Sequence, residues 1–250
     1  MSPDLKIVIV MPAFNAEKTL RKTLNDIPRD AYHEIILVDD ASSDKTFSLA
    51  QELGLSCYRH DKNMGYGANQ KTCYKNALEK GADIVVMLHP DNQYDARLVP
   101  YMTGLIRDGV CDVMMGARIR TRAEALKGGM PAYKYFMNRF LTLVEGTVFG
   151  IVVSEMHTGY RAYSRQVLDT IDFEKNSNDF VFDQQLIAQA VYHKFRIGEI
   201  PVPTRYFKEA SSINFHRSLI YGIATMWTLF RFILHKMRIC KYKILKSKIQ

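Results

Sequence analysis

Four short apolar runs, each ending in a polar turn and separated from the next by a segment of different periodicity, constrain how this chain can fold. They are KIVIVM at 6–11, EIILV at 34–38, the weaker LSCYR at 55–59 and DIVVML at 83–88. Unbroken apolar runs of strand length belong to strands covered on both faces, and helices between them mean βαβ units and a mainly parallel sheet. The helices are legible too. Leu20, Leu24 and Ile27 recur at helical spacing, Ser43 or Asp44 is placed to cap a helix reaching about Leu53, and a helix after Gly67 ends at Lys80 before Gly81. In such sheets ligands bind in the crevice beyond the carboxyl ends of the strands. Asn15, Asp39, Asp40 and Asp91 all fall there.

The fourth run passes directly into the polar knot His89-Pro90-Asp91-Asn92-Gln93-Tyr94-Asp95. Asp91 with Gln93 two residues on offers hard oxygen donors, which suit Mg²⁺ or Mn²⁺ rather than zinc. A turn capping the next helix is the other use of the same residues. Beyond it the pattern gives a helix to Arg107, a strand at 111–117, helices at 131–149 and 180–192, and strands within 157–164 and 196–202. Residues 119–130, basic and glycine-containing, have the composition of an active-site loop rather than of a core.

A chain of 250 residues with 47% hydrophobic content can bury one sizeable core. Its four cysteines lie far apart without metal spacing, and the amino terminus lacks an apolar signal region, so the protein is expected to be cytoplasmic. The net charge of +8 is local: eight basic residues and no acidic one follow His216, leaving 26 basic against 26 acidic residues before it. A neutral body argues against nucleic acid, and a basic tail argues for an anionic membrane surface. In that tail Leu219, Ile223, Met226, Trp227, Phe230, Ile233, Leu234 and Met237 share one helical arc. Ser218, Gly222, Thr225, Thr228, Arg231, His235 and Lys236 fill most of the other, with Tyr221, Leu229 and Phe232 intruding. The apolar stretch between Arg217 and Arg231 is shorter than the roughly 20 residues a bilayer span requires. A helix lying in the interface is therefore expected, with packing on the domain or on a partner subunit as the alternative. The division is a domain at 1–215 and a membrane-associating tail at 216–250, peripheral to the membrane and of open oligomeric state.

The segments IVIVMPAFNAEKTL (7–20), IILVDDASSDKT (35–46), NMGYGANQ (63–70) and MLHPDNQYD (87–95) resemble, in order and spacing, the nucleotide-sugar half of family-2 glycosyltransferases of the GT-A fold. GARIRTRAEALKGG (116–129), HTGYRAYSR (157–165) and PTRYFKEASS (203–212) look like the branch that acts on polyprenyl phosphates, the dolichyl-phosphate mannosyltransferase type. The resemblance implies a Rossmann-like α/β sheet flanked by helices, a GDP- or UDP-sugar donor, a polyprenyl phosphate or other lipid-linked acceptor, Mg²⁺ or Mn²⁺, and inversion at the sugar. It implies that Pro12, Ala13, Asn15, Asp40, Asn63 and Gly65 line the base and ribose pocket, with Asp39 supporting them. Asp91 matches the second carboxylate of a DxD-type motif and Gln93 the residue that follows, while His89 stands where that pattern has its first Asp, so a metal is expected on Asp91, Gln93 and His89. Arg118, Lys127, Arg161 and Arg205 are the candidate phosphate and acceptor ligands, since guanidinium forks suit phosphate oxygens.

Asp183 occupies the position of a catalytic base in many family-2 enzymes, and Asp179 is its rival. A hydroxyl acceptor would need that base, whereas a phosphate acceptor, already an anion, would not. A glycan or glycolipid hydroxyl therefore stays open as acceptor. A non-catalytic nucleotide-sugar binding role, motivated by His89, stays open as well.

Overall fold

The computed structural model describes residues 5–119, 121–203 and 215–248. Seven strands form one sheet: β1 (Ile7–Ala13), β2 (Glu34–Asp39), β3 (Ser56–Arg59), β4 (Ile84–Met87), β5 (Val113–Ala117), β6 (Arg161–Ser164) and β7 (Ile197–Pro201). Their order is β3-β2-β1-β4-β6-β5-β7. β6 runs antiparallel to both neighbours, and every other pair is parallel.

Alternate residues of each strand enter different cores, as the period of two requires. Val8, Val10, Ile36, Val38, Val85 and Met87 pack on one face with residues of α3 (Tyr66–Glu79), α8 (Phe182–Tyr192) and α9 (Phe215–Lys236). Ile7, Ile9, Met11, Ile35, Leu37 and Val86 pack on the other with α1 (Glu17–Asn25), α2 (Thr46–Glu52) and α4 (Val99–Arg107). The remaining helices are α5 (Arg122–Lys127), α6 (Ala132–Phe149) and α7 (Arg165–Thr170).

Three places refine the expectation. Within 119–130 the chain forms α5, capped by Thr121, whose hydroxyl accepts from Glu124 N at 3.1 Å. The Thr-x-x-Glu spacing of a capping box carried that signal. Ile119, Ala125 and Met130 are buried together against Tyr135, so the segment holds a small core of its own. The α2 helix starts at Thr46 with Asp44 accepting from Thr46 N at 2.9 Å, and the antiparallel strand β6 gives way at once to the short helix α7.

The helix α9 packs on α6 and α8 with the side that the sequence marks as polar. Thr225, Thr228, Leu229 and Phe232 are buried, while Leu219, Ile223, Met226, Trp227, Phe230, Ile233 and Met237 are exposed. Phe136, Met137, Phe140 and Leu143 of the neighbouring α6 are exposed as well. After α9 the chain returns to the body. Tyr242, Ile244 and Leu245 enter the core, and Lys248 N donates to Thr170 O at 2.9 Å, while Lys241, Lys243, Lys246 and Lys248 stay exposed.

Candidate active site

The first wall of the crevice is built where β1 and β2 end side by side, with Ala13 paired to Asp39. Pro12 and Ala13 are buried, and Asn15 follows in the left-handed region at φ 52°. There its Oδ1 accepts from Ser43 N at 2.9 Å, tying the β1 turn to the β2 turn. Asp39 is fully buried and accepts from Ser42 N and from Arg59 Nε, the latter at 3.1 Å. Asp40 accepts from Met64 N at 2.8 Å and Gly65 N at 3.0 Å, and meets His60 Nδ1 at 2.7 Å. The carboxylate thus anchors the rim that carries exposed Asn63. A cleft of about 340 Å³ opens beside this anchor, lined by Arg59, His60, Lys62, Met64 and Thr72 among others. Gly65 lies at φ 96°, and a Cβ there would sit 2.8 Å from the Asn178 carbonyl oxygen. Its smallness makes room for the 176–179 segment of this chain.

The knot follows β4. Pro90 O accepts from Thr23 Oγ1 at 3.2 Å, and Asn92, at φ 56°, turns the chain. Asp91 and Gln93 are buried, with Gln93 N donating to Asp91 Oδ1 at 3.1 Å. Asp95, by contrast, is committed to Arg97, at 2.6 Å and 2.8 Å. The His89 ring lies over Gly159, where a Cβ would come within 2.8 Å of Nε2. Tyr66 stacks on it at 5.6 Å between centroids.

Asp183 opens α8 and faces α3 across the crevice. Its Oδ2 accepts from Tyr66 Oη at 2.8 Å and its Oδ1 from Gln70 Nε2 at 3.1 Å, with Arg161 Nη1 at 3.8 Å. Burial, and after it the charge of Asp183, push the Tyr66 phenol well above its ordinary value, so it remains a donor. Arg161 corrects the expectation of a phosphate ligand. It is 1% exposed, and its guanidinium donates to Thr158 O, Asp183 O and Met156 O at 2.8, 2.8 and 2.9 Å. Burial works against its charge, but the Asp183 carboxylate raises its pKa overall. A rigid fork aimed at three carbonyls is a rivet inside the protein.

Arg118 lies at the end of β5, half-buried, with Nε on Glu155 Oε1 at 2.8 Å and Nη2 on His157 O at 2.5 Å. Lys127 is exposed on α5, and Arg205 lies outside the described residues. Sequence reasoning missed Tyr66, Gln70 and Glu155. The first two are four residues apart on α3, a spacing that puts both on the face turned to Asp183. A further buried group joins α6, α8 and α9: Tyr221 Oη accepts from Gln184 Nε2 at 2.7 Å and meets His157 Nδ1 at 2.7 Å, and Glu145 Oε2 lies 2.9 Å from His157 Nε2.

Comparison with known proteins agrees with this architecture. The chain is 30% identical over 207 residues to the protein MJ1222 of Methanocaldococcus jannaschii, covering 83% of this chain and 84% of that one. It is 27% identical over 220 residues to the UDP-N-acetylglucosamine–dolichyl-phosphate N-acetylglucosaminyltransferase of Methanococcus voltae, covering 81% and 87%. Among solved structures, glucosyl-3-phosphoglycerate synthase from Mycobacterium tuberculosis superposes with a TM-score of 0.70 at 17% identity, covering 92% of this chain and 78% of that one. That likeness establishes the GT-A fold. The sequence profile of glycosyl transferase family 2 matches residues 8–172, from β1 through the knot to the end of α7. The chain therefore belongs to glycosyl transferase family 2 and is a hexosyltransferase.

Proposed function

We propose that this enzyme moves a sugar, with inversion, from a GDP- or UDP-sugar onto a polyprenyl phosphate at the cytosolic face of a membrane. The observation that carries the choice of acceptor is the clamp on Asp183, whose two oxygens already accept from Tyr66 and Gln70 beside Arg161. A carboxylate held in this way orients its neighbours and is poorly placed to take a proton from a hydroxyl. A phosphate acceptor needs no such base. The Methanococcus voltae relative, by its name, uses a dolichyl phosphate.

Pro12, Ala13, Asn15, Asn63 and Gly65 frame the nucleoside, with Asp39 and Asp40 holding the turns that carry them. Arg118, kept in place by Glu155, stands on the acceptor side with Lys127, and Arg205 is the remaining phosphate candidate. A divalent cation fits the donor set. Among the described residues no three His, Cys, Asp or Glu side chains gather. The oxygen donors of Asp91 and Gln93, both buried in the knot, are of the type that Mg²⁺ or Mn²⁺ takes together with substrate phosphates. Asp91, Gln93 and His89 would hold the ion, which when bound neutralises the departing diphosphate; the M. tuberculosis synthase was solved with Mn²⁺ and UDP. The side chains themselves contribute by aligning donor and acceptor and by charge neutralisation.

Purified full-length protein given a GDP- or UDP-sugar, Mn²⁺ and a polyprenyl phosphate should release nucleoside diphosphate and yield an anomerically inverted lipid product. No release above background overturns the reading. Asp183→Asn should keep transfer within about tenfold of wild type, whereas removal of a true general base typically costs 10²–10⁴-fold.

The membrane part rests on the outward apolar face of α9, continued by α6 and flanked by Arg217, Lys236 and Arg238. By length and composition residues 216–236 are long enough to cross a bilayer. Burial of Thr225, Thr228, Leu229 and Phe232 against the body favours a helix lying on it. Replacing Ile223, Trp227 and Phe230 by Ser should weaken binding to anionic vesicles by on the order of 10³-fold or more, given ~1.5–3 kcal/mol for each large apolar side chain fully buried. Unchanged co-sedimentation would remove the membrane role.

A further inference from the structure

The Tyr66 hydroxyl sits between two groups of the site, 2.8 Å from Asp183 Oδ2 and 3.3 Å from His89 Nε2. It has one proton to give. Asp183 accepts only, so the proton goes to the carboxylate, and the phenol oxygen presents a lone pair to His89. The contact is favourable only if His89 Nε2 carries the hydrogen. In a neutral imidazole the lone pair then belongs to Nδ1. The packing agrees: Nε2 is the ring atom closest to the place a Cβ on Gly159 would take, at 2.8 Å, so that end of the ring faces protein. Nδ1 is then the ring nitrogen that keeps a lone pair, and Asp91 follows two residues on in the chain.

We propose that Tyr66 is a positioning residue that fixes the tautomer of His89 and so makes Nδ1, together with Asp91, a protein ligand of the divalent cation. This rests on the reading that the site takes such a cation. Tyr66 thereby connects the donor side of the crevice to the acceptor side at Asp183. Two properties follow from the chemistry of the donor. A neutral imidazole in place of a carboxylate leaves the site one negative charge poorer, and imidazole suits transition ions better than Mg²⁺. Mn²⁺ should therefore bind distinctly more tightly than Mg²⁺.

The test uses full-length protein labelled with ¹⁵N-histidine, the His89 signal being assigned among the seven histidines by its loss in His89→Gln. Without metal or nucleotide, long-range ¹H–¹⁵N spectra at a pH where imidazole is neutral should show His89 protonated at Nε2 alone. Tyr66→Phe keeps the ring that stacks on His89 and lies tilted against Phe180 but removes the acceptor. It should give a tautomer mixture and a Mn²⁺ affinity, measured by calorimetry with UDP or GDP present, weaker by on the order of 10–100-fold, the usual cost of losing the group that orients a metal-bound histidine. His89→Asp, as a second variant, should narrow the Mn²⁺ to Mg²⁺ affinity ratio. A wild-type His89 protonated at Nδ1, a Mn²⁺ affinity in Tyr66→Phe within twofold of wild type, or an unchanged ratio in His89→Asp overturns the proposal. A wild type that binds no Mn²⁺ at all, whatever its tautomer, overturns the cation reading beneath it.

Discussion

Asp91→Ala is expected to lower the rate of nucleoside diphosphate release by on the order of 10²–10³-fold, the scale of losing one preorganised group that stabilises developing charge. The knot holds two carboxylates, and their surroundings separate them. Asp95 is neutralised by a two-point ion pair with Arg97 and caps the 96–98 turn. Asp91, buried beside Gln93 at the carboxyl end of β4 and accepting from Gln93 N, is the carboxylate proposed to meet the cation and its diphosphate. On that proposal Asp91 and Asp95 divide one motif between chemistry and structure. Asp95→Ala should cost little activity beside Asp91→Ala, with melting curves confirming that both variants fold. A loss below tenfold for Asp91→Ala would assign the diphosphate to other groups.

Arg161→Met should destabilise the protein by about 3–5 kcal/mol, because it leaves the Asp183 charge buried without its counter-ion. It also removes the donors that Thr158 O, Met156 O and Asp183 O receive. At roughly 2–4 °C per kcal/mol for a chain of this size, the melting midpoint should fall by on the order of 6–20 °C. Arg161→Lys should recover little of it, since one ammonium cannot reach carbonyls that a planar fork meets in separate directions. Urea unfolding measures the difference directly. A change below about 1 kcal/mol, the range of an exposed ion pair, would mean that Arg161 is not the rivet its contacts describe.

The strands were legible because a sheet covered on both faces needs continuous apolar runs, and the polar residues just past β1, β2 and β4 announced the crevice. What periodicity could not reveal is pairing between distant segments. The clamp on Asp183 joins Tyr66 and Gln70 to a residue more than a hundred positions away. Likewise, nothing local says that β6 reverses direction and draws Arg161 inside. Arginine was read as a phosphate ligand from its chemistry alone, and its burial is decided by Asp183 and three carbonyls that only the fold assembles. The α5 helix was legible in principle, since the spacing of Thr121 and Glu124 is local, but the basic composition around it concealed the signal. The amphipathic period of α9 was visible from sequence, but which arc faces the body was settled by three intruders, Tyr221, Leu229 and Phe232, that take the inner side.

The return of the chain after α9 has a practical consequence for anyone dissecting this protein. In Lys241-Tyr242-Lys243-Ile244-Leu245-Lys246 the apolar members close the bottom of the fold while the lysines between them carry charge outward. The two duties are interleaved along one short strip of sequence. Deleting the strip would unseal the core at Ile244 and Leu245 together with removing the charges, so a shortened protein would report on unfolding rather than on electrostatics. Exchanging the strip's three exposed lysines for glutamine, one by one, separates the gasket from the magnet.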